Sequence, residues 1–377
     1  MYIENHFNSL LYNIIEDDYK GNNPYDLLAS NFIHKSFKNR KIVLLLTQLN
    51  KISPINFRPL LGINKRLNPK ASALIMSALI RKDHNYYKNE IEYLKESLIK
   101  GKSNKFDEYS IGFSFPISLS FYTSKTNYPS LIITLFVAFA FIDYYKVKKD
   151  PEILNVILSI KNLIISKLES KKIDNLLWYS YNFDKKNEIF NATAKVGKFF
   201  AKLYELTNDK SLLTKIESIT NYLIRNQRKD GSWAYAPSIK YSDSFHTAFI
   251  LESIYIMNSI TKKNNFDSFF LKGLENYKTS FFTKDFQPLY IHPVHKNVGV
   301  RKLFEVTQTD IRDCAMAVEL FKIIGDISSA KKVLKWTNKN MYNTKKNYFY
   351  FYKEKFWKNK IKYIRPQGWM LYAISNM

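Results

Sequence analysis

Two kinds of apolar segment alternate along most of the chain. Segments of the first kind are apolar nearly all round and rich in small residues, and each follows a polar or aromatic loop. They begin at Tyr128, Asn191, Phe245, Asp310 and Gln367. Their starts lie roughly 55 to 65 residues apart, a spacing compatible with repeated helical hairpins.

Segments of the second kind begin at Pro151, Lys210, Asn265 and Ile327. Their apolar residues recur at three- and four-residue spacing with lysines between them, which predicts amphipathic helices with one solvated face. Enclosed helices that alternate with half-exposed ones are expected in a ring of helical hairpins.

This pattern predicts an all-α fold, an α/α toroid of about five to six helical hairpins. A further helix is expected in "NPKASALIMSALIRK" from Asn68. We expect residues 1–70 to form an N-terminal helical extension packed on the ring, and residues 71–377 to form the toroid as one structural unit. An open superhelix of helix pairs is the alternative. With 10 glycines, the chain does not suit Rossmann-type or all-β folds.

The loops that lead into the enclosed helices alternate aromatic and charged residues. Examples are "GSWAYAPSIKYSDSF", "KNVGVRKLFEVTQTD" and "NYFYFYKEKFWKNKIKYIRP". Such alternation predicts short β-hairpins. In a ring, these hairpins would gather at one end, around the mouth of a central cavity.

The formal net charge of +25 favours anionic partners. Because lysines outnumber arginines and are scattered, we expect no nucleic-acid binding, and favour an anionic glycan or a lipid-linked phosphate. The basic charge leaves open a peripheral association with a membrane surface.

Cys314 is the single cysteine, so no disulfide within the chain is possible. The N-terminal stretch lacks a secretory signal pattern. The apolar run from Leu131 is short and interrupted by Asp143. We expect a cytoplasmic protein, with the inner face of the membrane as a further location.

The stretch Gln227-x-x-x-Gly231-x-Trp233 resembles the QW motif of squalene and terpene cyclases and their α/α-toroid relatives. The resemblance implies that the Gln side chain fixes a neighbouring helix end and that the Trp packs against it. The motif occurs once, and it implies a stabilising role rather than chemistry.

A second resemblance covers nearly the whole chain. In order, "YKGNNPYDLLAS", "INFRPLLGINKRLNPKA", "YPSLIITL", "YSDSFHTAFILESI", "TDIRDCAMAV" and "IRPQGWMLYAIS" are similar to a bacterial α/α-toroid family, squalene-cyclase/prenyltransferase-like, that is associated with capsule, O-antigen and exopolysaccharide biosynthesis. The resemblance implies a fold and a pathway, and it leaves the reaction open.

The strongest candidate site lies where "YSDSFH" enters a helix. Asp243 and His246 stand three residues apart. Asp243 or Ser242 would serve as N-cap in the purely structural interpretation. In the functional one, a helix N-terminus disfavours imidazolium, so neutral His246 acts as acid or base with Asp243 orienting it. Tyr241 is a second acid/base candidate. Trp233 and Tyr235 are aromatic residues expected to contact a sugar ring.

The entrances to other enclosed helices supply further candidates. Asp310 and Asp313 resemble a capping box, but Arg312 has no capping role and is expected to pair with a carboxylate or bind an anionic substrate. Asp310 could also act as a catalytic carboxylate opposite Asp243. The remaining expected substrate contacts, each with a structural alternative, are Arg365, Gln367 and the N-cap candidate Asn191.

We expect no cofactor and no metal. His292 and His295 would need further ligands, and Pro293 makes a helical arrangement doubtful. Neither a phosphate-binding loop nor a dinucleotide fingerprint occurs in the sequence. An aspartate cluster of the kind used by terpene cyclases does not occur either, which leaves a cyclase-like enzyme as the weakest alternative.

These observations together predict an enzyme that modifies or processes a saccharide, free or lipid-linked, in cell-surface polysaccharide biosynthesis. Epimerase, lyase and hydrolase chemistry stay open, and hydrolysis would use Asp243 and Asp310 as the two carboxylates. The rival hypothesis is a non-catalytic scaffold that binds a glycan or a protein partner.

Overall fold

The structure, a computed structural model, describes residues 2–37, 39–118, 123–169, 175–262, 266–291, 309–353 and 358–377. Within them, fourteen α-helices follow one another along the chain. They are α1 (Tyr2–Ile15), α2 (Asn31–Ser36), α3 (Arg40–Ile52), α4 (Pro69–Asp83), α5 (Lys88–Lys100), α6 (Leu131–Lys148), α7 (Pro151–Leu163), α8 (Phe190–Thr207), α9 (Ser211–Arg225), α10 (Ser244–Thr261), α11 (Asp267–Ser280), α12 (Ile311–Ile323), α13 (Ile327–Met341) and α14 (Ile364–Ile374). A 3-10 turn (Leu27–Ala29) precedes α2, and a π-helical turn (Ile164–Leu168) continues α7.

The strands are two residues long each. They are β1 (Lys20–Gly21), β2 (Arg66–Leu67), β3 (Ile117–Ser118), β4 (Thr123–Ser124), β5 (Thr309–Asp310), β6 (Tyr342–Asn343), β7 (Tyr348–Phe349), β8 (Tyr352–Lys353) and β9 (Lys358–Asn359). Antiparallel pairs join β1 to β2, β3 to β4, β6 to β7 and β8 to β9. The pair β8–β9 falls in the aromatic loop before α14, as the sequence predicts, and β7 in the same loop pairs with β6, which precedes it. Most of "KNVGVRKLFEVTQTD" lies outside the described residues.

The alternation of enclosed and half-exposed helices is confirmed. Nearly every side chain is buried along α8, α10, α12 and α14, as is the run from Lys70 to Ile80 in α4. In α7, α9 and α11 the buried positions recur on one face. The all-α class follows directly from this pattern.

The chain divides into two compact units. The first comprises Met1–Ala140 and Asn338–Met377. In it, α14 packs against α4 and α1. The contact with α4 is close, because a Cβ atom on Gly368 would lie 3.2 Å from the carbonyl oxygen of Ala71. The expected division at residue 70 stays a prediction.

The second unit comprises Phe141–Thr337. Its helix α10 packs between α8 and α12, while α9 and α11 cover α8 and α10. The Lys195 ammonium nitrogen on α8 lies 3.0 Å from the ring centroid of Phe249 on α10. Three residues further along both helices, Lys198 forms a buried 2.6 Å ion pair with Glu252. Because these pairs advance together, α8 and α10 are parallel and begin at the same end of the unit.

No helix among the residues described above combines the length and apolar character needed to cross a membrane.

Candidate functional site

Asp243 and His246 form a hydrogen-bonded pair at the start of α10. Asp243 is the N-cap, and its Oδ1 accepts from the backbone N–H of His246 at 2.8 Å. The ring Nδ1 of His246 lies 2.8 Å from the same oxygen and 2.7 Å from Oδ2. Asp243 is buried, whereas the His246 side chain is 26% exposed. One carboxylate therefore caps the helix and orients an accessible imidazole.

This pairing fixes how the imidazole can react. A neutral histidine carries its proton on one ring nitrogen, and the carboxylate at Nδ1 selects the Nδ1–H tautomer. The lone pair is then on Nε2, the nitrogen that Asp243 does not contact. A base oriented by a buried carboxylate is suited to moving a proton to and from a bound molecule.

A tyrosine ring packs against the imidazole, and a second tyrosine packs against the first. Tyr235 meets the His246 ring edge to face, with centroids 4.7 Å apart, and Tyr241 lies 5.5 Å from Tyr235. Burial raises the pKa of Tyr235 well above its ordinary value, and nearby Tyr181, Tyr241, Asp243 and Tyr290 raise it further. Tyr235 therefore stays a neutral phenol, and is suited to packing or hydrogen bonding rather than to acting as a base.

Asp310 and Arg312 form a second pair at the start of α12. Asp310 is the N-cap and accepts from the backbone N–H of Arg312 at 2.9 Å. Its two oxygens also accept from the guanidinium, with Nε at 2.9 Å and 3.0 Å and a shorter bond from Nη2. The pairing of Arg312 with a carboxylate is as expected. Since its charge is already balanced, Arg312 has less capacity to bind an anionic substrate.

Phe245 connects the two pairs. Its ring centroid lies 5.6 Å from that of His246 and 5.3 Å from the guanidinium carbon of Arg312. The starts of α10 and α12 are therefore adjacent in the second unit. This agrees with the expectation that entrances to consecutive enclosed helices lie at one end.

Asp313 is a third carboxyl group near these pairs. It is fully buried. Burial raises its pKa well above the ordinary value, the Asp310 and Asp243 carboxylates add to the rise, and Arg312 opposes it. One half of the expected capping box is not formed, because the Asp310 side chain accepts from the Arg312 N–H rather than from the Asp313 N–H. The backbone of Asp310 still hydrogen-bonds to the Asp313 carboxyl group and opposes the rise of its pKa.

Two expected substrate contacts have packing roles instead. Trp233 is 1% exposed, and its indole N–H donates to the carbonyl of Leu223 at 2.8 Å. Gln367 is fully buried; its Oε1 accepts from the Phe349 N–H at 2.8 Å, and its Nε2 donates to the Phe349 carbonyl at 2.9 Å. A substrate would have no access to either side chain in this arrangement.

Asn191 and Arg365 are both buried near helix starts. Ile189, rather than Asn191, is the N-cap of α8, and Asn191 is the second residue of that helix. Since α8 is parallel to α10, Asn191 lies at the same end of the second unit as the Asp243–His246 pair. Arg365 belongs to the first unit, where its guanidinium carbon lies 5.4 Å from the ring centroid of Tyr25. A substrate contact stays a prediction for both.

The sequence argument did not single out Tyr181 or Tyr290. Both influence Tyr235, yet they come from separate loops more than 40 residues away on either side of it in the chain. The sequence does show that aromatic residues are frequent in these loops, which is the signal that could have pointed to Tyr181 and Tyr290. No group of three His, Cys, Asp or Glu side chains suited to a metal occurs among the described residues, and His292 and His295 lie outside them.

Sequence comparison finds no matching family model and no matching curated protein. Structural comparison does find proteins of similar fold. Cellobiose 2-epimerase from Bacillus thermoamylovorans B4167 superposes with a TM-score of 0.63 at 11% identity, over 84% of this chain and 90% of that one. The fold is that of the α/α-toroid enzymes.

Two further structures share the fold. A D-mannose isomerase has a TM-score of 0.59 at 12% identity, over 81% of this chain and 85% of that one. A family 76 glycoside hydrolase from a bovine Bacteroides thetaiotaomicron strain has a TM-score of 0.57 at 13% identity, over 82% and 68%. At such identities the likeness shows the fold alone, so the chemistry of this chain is argued from its own residues.

Proposed function

We propose that the chain is a saccharide-processing enzyme in which His246 moves a proton on and off a sugar carbon, as in an epimerase or isomerase. The Asp243–His246 pair carries this proposal. In the Nδ1–H tautomer, Nε2 removes a proton from the carbon next to the carbonyl of an open-chain sugar, and the C–H electrons form an enediolate. Return of the proton to the opposite face of that carbon, after the enediolate has turned in the site, gives the epimer. Its return to the former carbonyl carbon, with a proton passing from the C2 hydroxyl to the C1 oxygen, gives the isomer.

The carboxylate geometry favours proton transfer over hydrolysis. Glycoside hydrolysis ordinarily uses two carboxyl groups that face the scissile bond. Here Asp310 is fully buried and doubly hydrogen-bonded to Arg312, and Asp243 is held by His246 and by its own helix. Neither carboxylate is placed for attack on a glycoside, whereas the imidazole is accessible. Several structural neighbours are named as epimerases or isomerases, which is consistent with this choice.

The wider role that we propose is in bacterial cell-surface polysaccharide biosynthesis, with a free or lipid-linked saccharide as substrate. It rests on the sequence resemblance to capsule and O-antigen proteins. A cytoplasmic location, with peripheral association at the inner membrane face, fits that role. The alternative is a non-catalytic glycan-binding scaffold. It would use Tyr235 and Tyr241 to bind the glycan and would not need His246 as a base.

Solvent isotope exchange tests the reaction. Purified protein is incubated in D₂O with cellobiose, D-mannose or D-glucuronate, and NMR follows deuterium at C2. We expect exchange into at least one sugar, and a loss of about 10²- to 10⁴-fold in rate for His246→Ala. Cleavage of cellobiose without deuterium at C2 would instead indicate a hydrolase. A wild-type protein that exchanges none of these sugars would contradict the proposal.

The Asp243→Asn variant separates orientation from capping. Asparagine can still accept from the His246 N–H, so α10 keeps its cap, but the carboxylate that selects the imidazole tautomer is lost. We expect exchange to fall by about 10²- to 10⁴-fold with little change in melting temperature. The matched control is Asp150→Asn at the N-cap of α7, where Asp150 accepts from Glu152 and Ile153. That variant should keep full exchange activity.

A genetic experiment distinguishes the enzyme from the scaffold. A strain that lacks the gene is complemented with the wild-type chain, with His246→Ala, or with His34→Ala in the exposed part of α2. For an enzyme, His246→Ala fails to restore the normal polysaccharide, and His34→Ala restores it. Unchanged polymer with His246→Ala would favour the scaffold.

A further inference from the structure

The first unit exposes an apolar surface on α3 and on the chain segments beside it. Seven large apolar side chains between residues 32 and 60 are 41% to 85% exposed, against nine in all the other described residues. They are Phe32, Ile42, Leu45, Leu49, Ile55, Phe57 and Leu60. Single exposed apolar residues are ordinary on a protein surface, whereas a concentration of them in one short stretch marks a site of association.

The same stretch of chain has a small core of its own. The buried members of that core are Leu27, Leu28, Ile33 and Val43, and the partly buried side chains of Phe37, Leu46 and Leu61 pack against them. This cluster holds α2, α3 and the chain around Leu61 together as one module. More large apolar side chains of the module face solvent than are fully buried in its core.

Helix α3 has a reversed amphipathic pattern. Its exposed side carries Ile42, Leu45 and Leu49, whose spacing of three and four residues places them in one stripe. By contrast, the polar residues Asn50 and Lys51 are buried. A helix at the surface of a monomer ordinarily turns its polar residues to solvent. The stripe on α3 is therefore suited to burial against a second apolar surface.

The exposed area is that of a specific protein interface. The seven side chains together expose on the order of 800 Å², which is about what each partner contributes to an interface of standard size. From Ile42 to Asn50 the sequence of α3 contains no charged residue. Charged residues are depleted in the core of an interface, and homodimer interfaces are the more apolar ones.

The placement of charge favours a second copy of the chain over an anionic lipid surface. Helices that lie on anionic membranes are rich in lysine and arginine beside their apolar face. The exposed cations of α3, Arg40 and Lys41, are instead both in its first turn. A cation in the first turn is unfavourable to the dipole of its own helix, but it is favourable beside the carboxyl end of another helix.

An antiparallel pair of α3 helices provides that contact. With a twofold axis near Leu45, the stripe of one copy covers the stripe of the other, and Lys41 lies beside the last turn of the second α3. The helix has 13 residues and is roughly 20 Å long. Because the two Lys41 side chains are then at opposite ends of the contact, they are further apart than the Debye length of about 8 Å.

We propose that this apolar surface is the interface of a homodimer, in which α3 of each copy packs antiparallel on α3 of the other. Such a contact uses the same surface on both copies, so it closes after two and does not continue into a filament. The proposal does not depend on the chemistry of His246.

Sedimentation velocity tests the association. The purified chain is measured from about 1 to 100 µM at about 0.15 M salt, and we expect its mass to rise from 44.6 kDa to twice that value. Leu45→Glu places a charge at the centre of the stripe and should weaken the dimer at least about tenfold. The matched control is Leu271→Glu on α11, at a position 60% exposed in the second unit. It should dimerise like the wild type.

The Lys41→Glu variant tests the antiparallel arrangement. Glutamate in the first turn favours the dipole of its own helix, so α3 should persist, but it is unfavourable beside the carboxyl end of the second α3. We expect the dimer to weaken about threefold to tenfold, since the contact occurs twice. The control is Lys88→Glu in the first turn of α5, also exposed, which should leave dimerisation unchanged. Equal dimerisation by Lys41→Glu and the wild type would contradict the arrangement.

Three results would overturn the proposed interface. One is a chain that stays monomeric up to the highest concentration. Another is a dimer that Leu45→Glu leaves intact, because the contact would then lie elsewhere. The third is a monomer that phosphatidylserine vesicles retain at about 0.5 M salt and that Leu45→Glu releases, as expected of a surface that inserts into lipid.

Discussion

At the scale of single residues, Asp313 is the carboxyl group whose protonation depends most clearly on folding. It is fully buried, and its pKa is raised by burial and by its carboxylate neighbours Asp310 and Asp243. In the unfolded chain, an aspartate titrates near pH 3.9. Between these two values the folded protein binds a proton that the unfolded chain has lost, so stability contributed by this residue falls as the pH rises.

The Asp313→Asn variant should reveal this dependence. An amide stays neutral at every pH, so the variant should unfold at higher denaturant concentration than the wild type at pH 7 and at a similar one near pH 4. Between the pKa of Asp313 in the unfolded chain and its pKa in the folded protein, the free energy of unfolding of the variant should exceed that of the wild type by a growing amount. The increase is up to about 1.4 kcal/mol per pH unit. Urea titrations at several pH values measure it. A difference that does not depend on pH would show that Asp313 is charged in the folded protein.

The site residues show what a sequence can and cannot specify. Asp243 and His246 are three residues apart, so one helical turn brings them together and the sequence alone predicts the pair. The contact between Phe245 and Arg312 joins residues from different helices, and no local spacing indicates it. Trp233 shows a related limit. An aromatic residue in a loop can be buried or available to a sugar, and the sequence does not indicate which, because the packing of the folded chain decides it.

At the scale of elements, the Gln227–Trp233 stretch fastens α9 to α11. The Gln227 amide donates to the carbonyl of Gly231 at 3.0 Å and to that of Phe269, in the first turn of α11, at 2.9 Å. The Trp233 indole bonds to α9 through Leu223 and covers Gly273 of α11. This is the role that the QW resemblance implies. The positive φ of Gly231, +87°, allows the turn between the two side chains.

Substituting Gly273 tests how closely the Trp233 indole packs against α11. A Cβ atom there would lie 2.7 and 2.8 Å from two Trp233 ring carbons and 3.0 Å from Leu251. Alanine raises helix propensity by about 1 kcal/mol relative to glycine, yet overpacking costs about 1–3 kcal/mol. We therefore expect Gly273→Ala to lower the free energy of unfolding, as measured in urea.

The matched control for Gly273→Ala is Glu275→Ala, at an exposed position of the same helix. It should change stability by less than about 0.5 kcal/mol. If Gly273→Ala instead stabilised the protein, the indole would have room to move and Trp233 would not be a rigid clamp.

The helices themselves were largely predictable, and their ends less so. Periodic apolar residues mark α8 and α10 clearly, because burial on all sides requires apolar side chains all round. The sequence favours Asn191 as the N-cap of α8, two residues after the observed N-cap Ile189, because asparagine is usually the better cap. The Lys198–Glu252 ion pair could not be predicted, because it joins residues 54 positions apart on two helices.

At the scale of the whole molecule, the repeated apolar segments and the net charge predict different properties. The repeated segments predict the α/α-toroid fold, which the structural comparison confirms. The net charge of +25 has no part in that fold, because it is a property of surface and partners. Its consequence is long-range attraction to anionic surfaces, and this can be measured separately from catalysis.

We predict that anionic membranes bind the protein through this charge alone. Vesicles with about 30% phosphatidylserine should co-sediment the protein at about 20 mM salt and release it at about 0.5 M, where the Debye length shortens to a few ångströms. Vesicles of phosphatidylcholine are the control and should bind none at either salt concentration. Because scattered lysines contribute additively, no single substitution should abolish binding. Retention at high salt would instead indicate a specific lipid contact, and no binding at low salt would show that the basic charge does not serve membrane association.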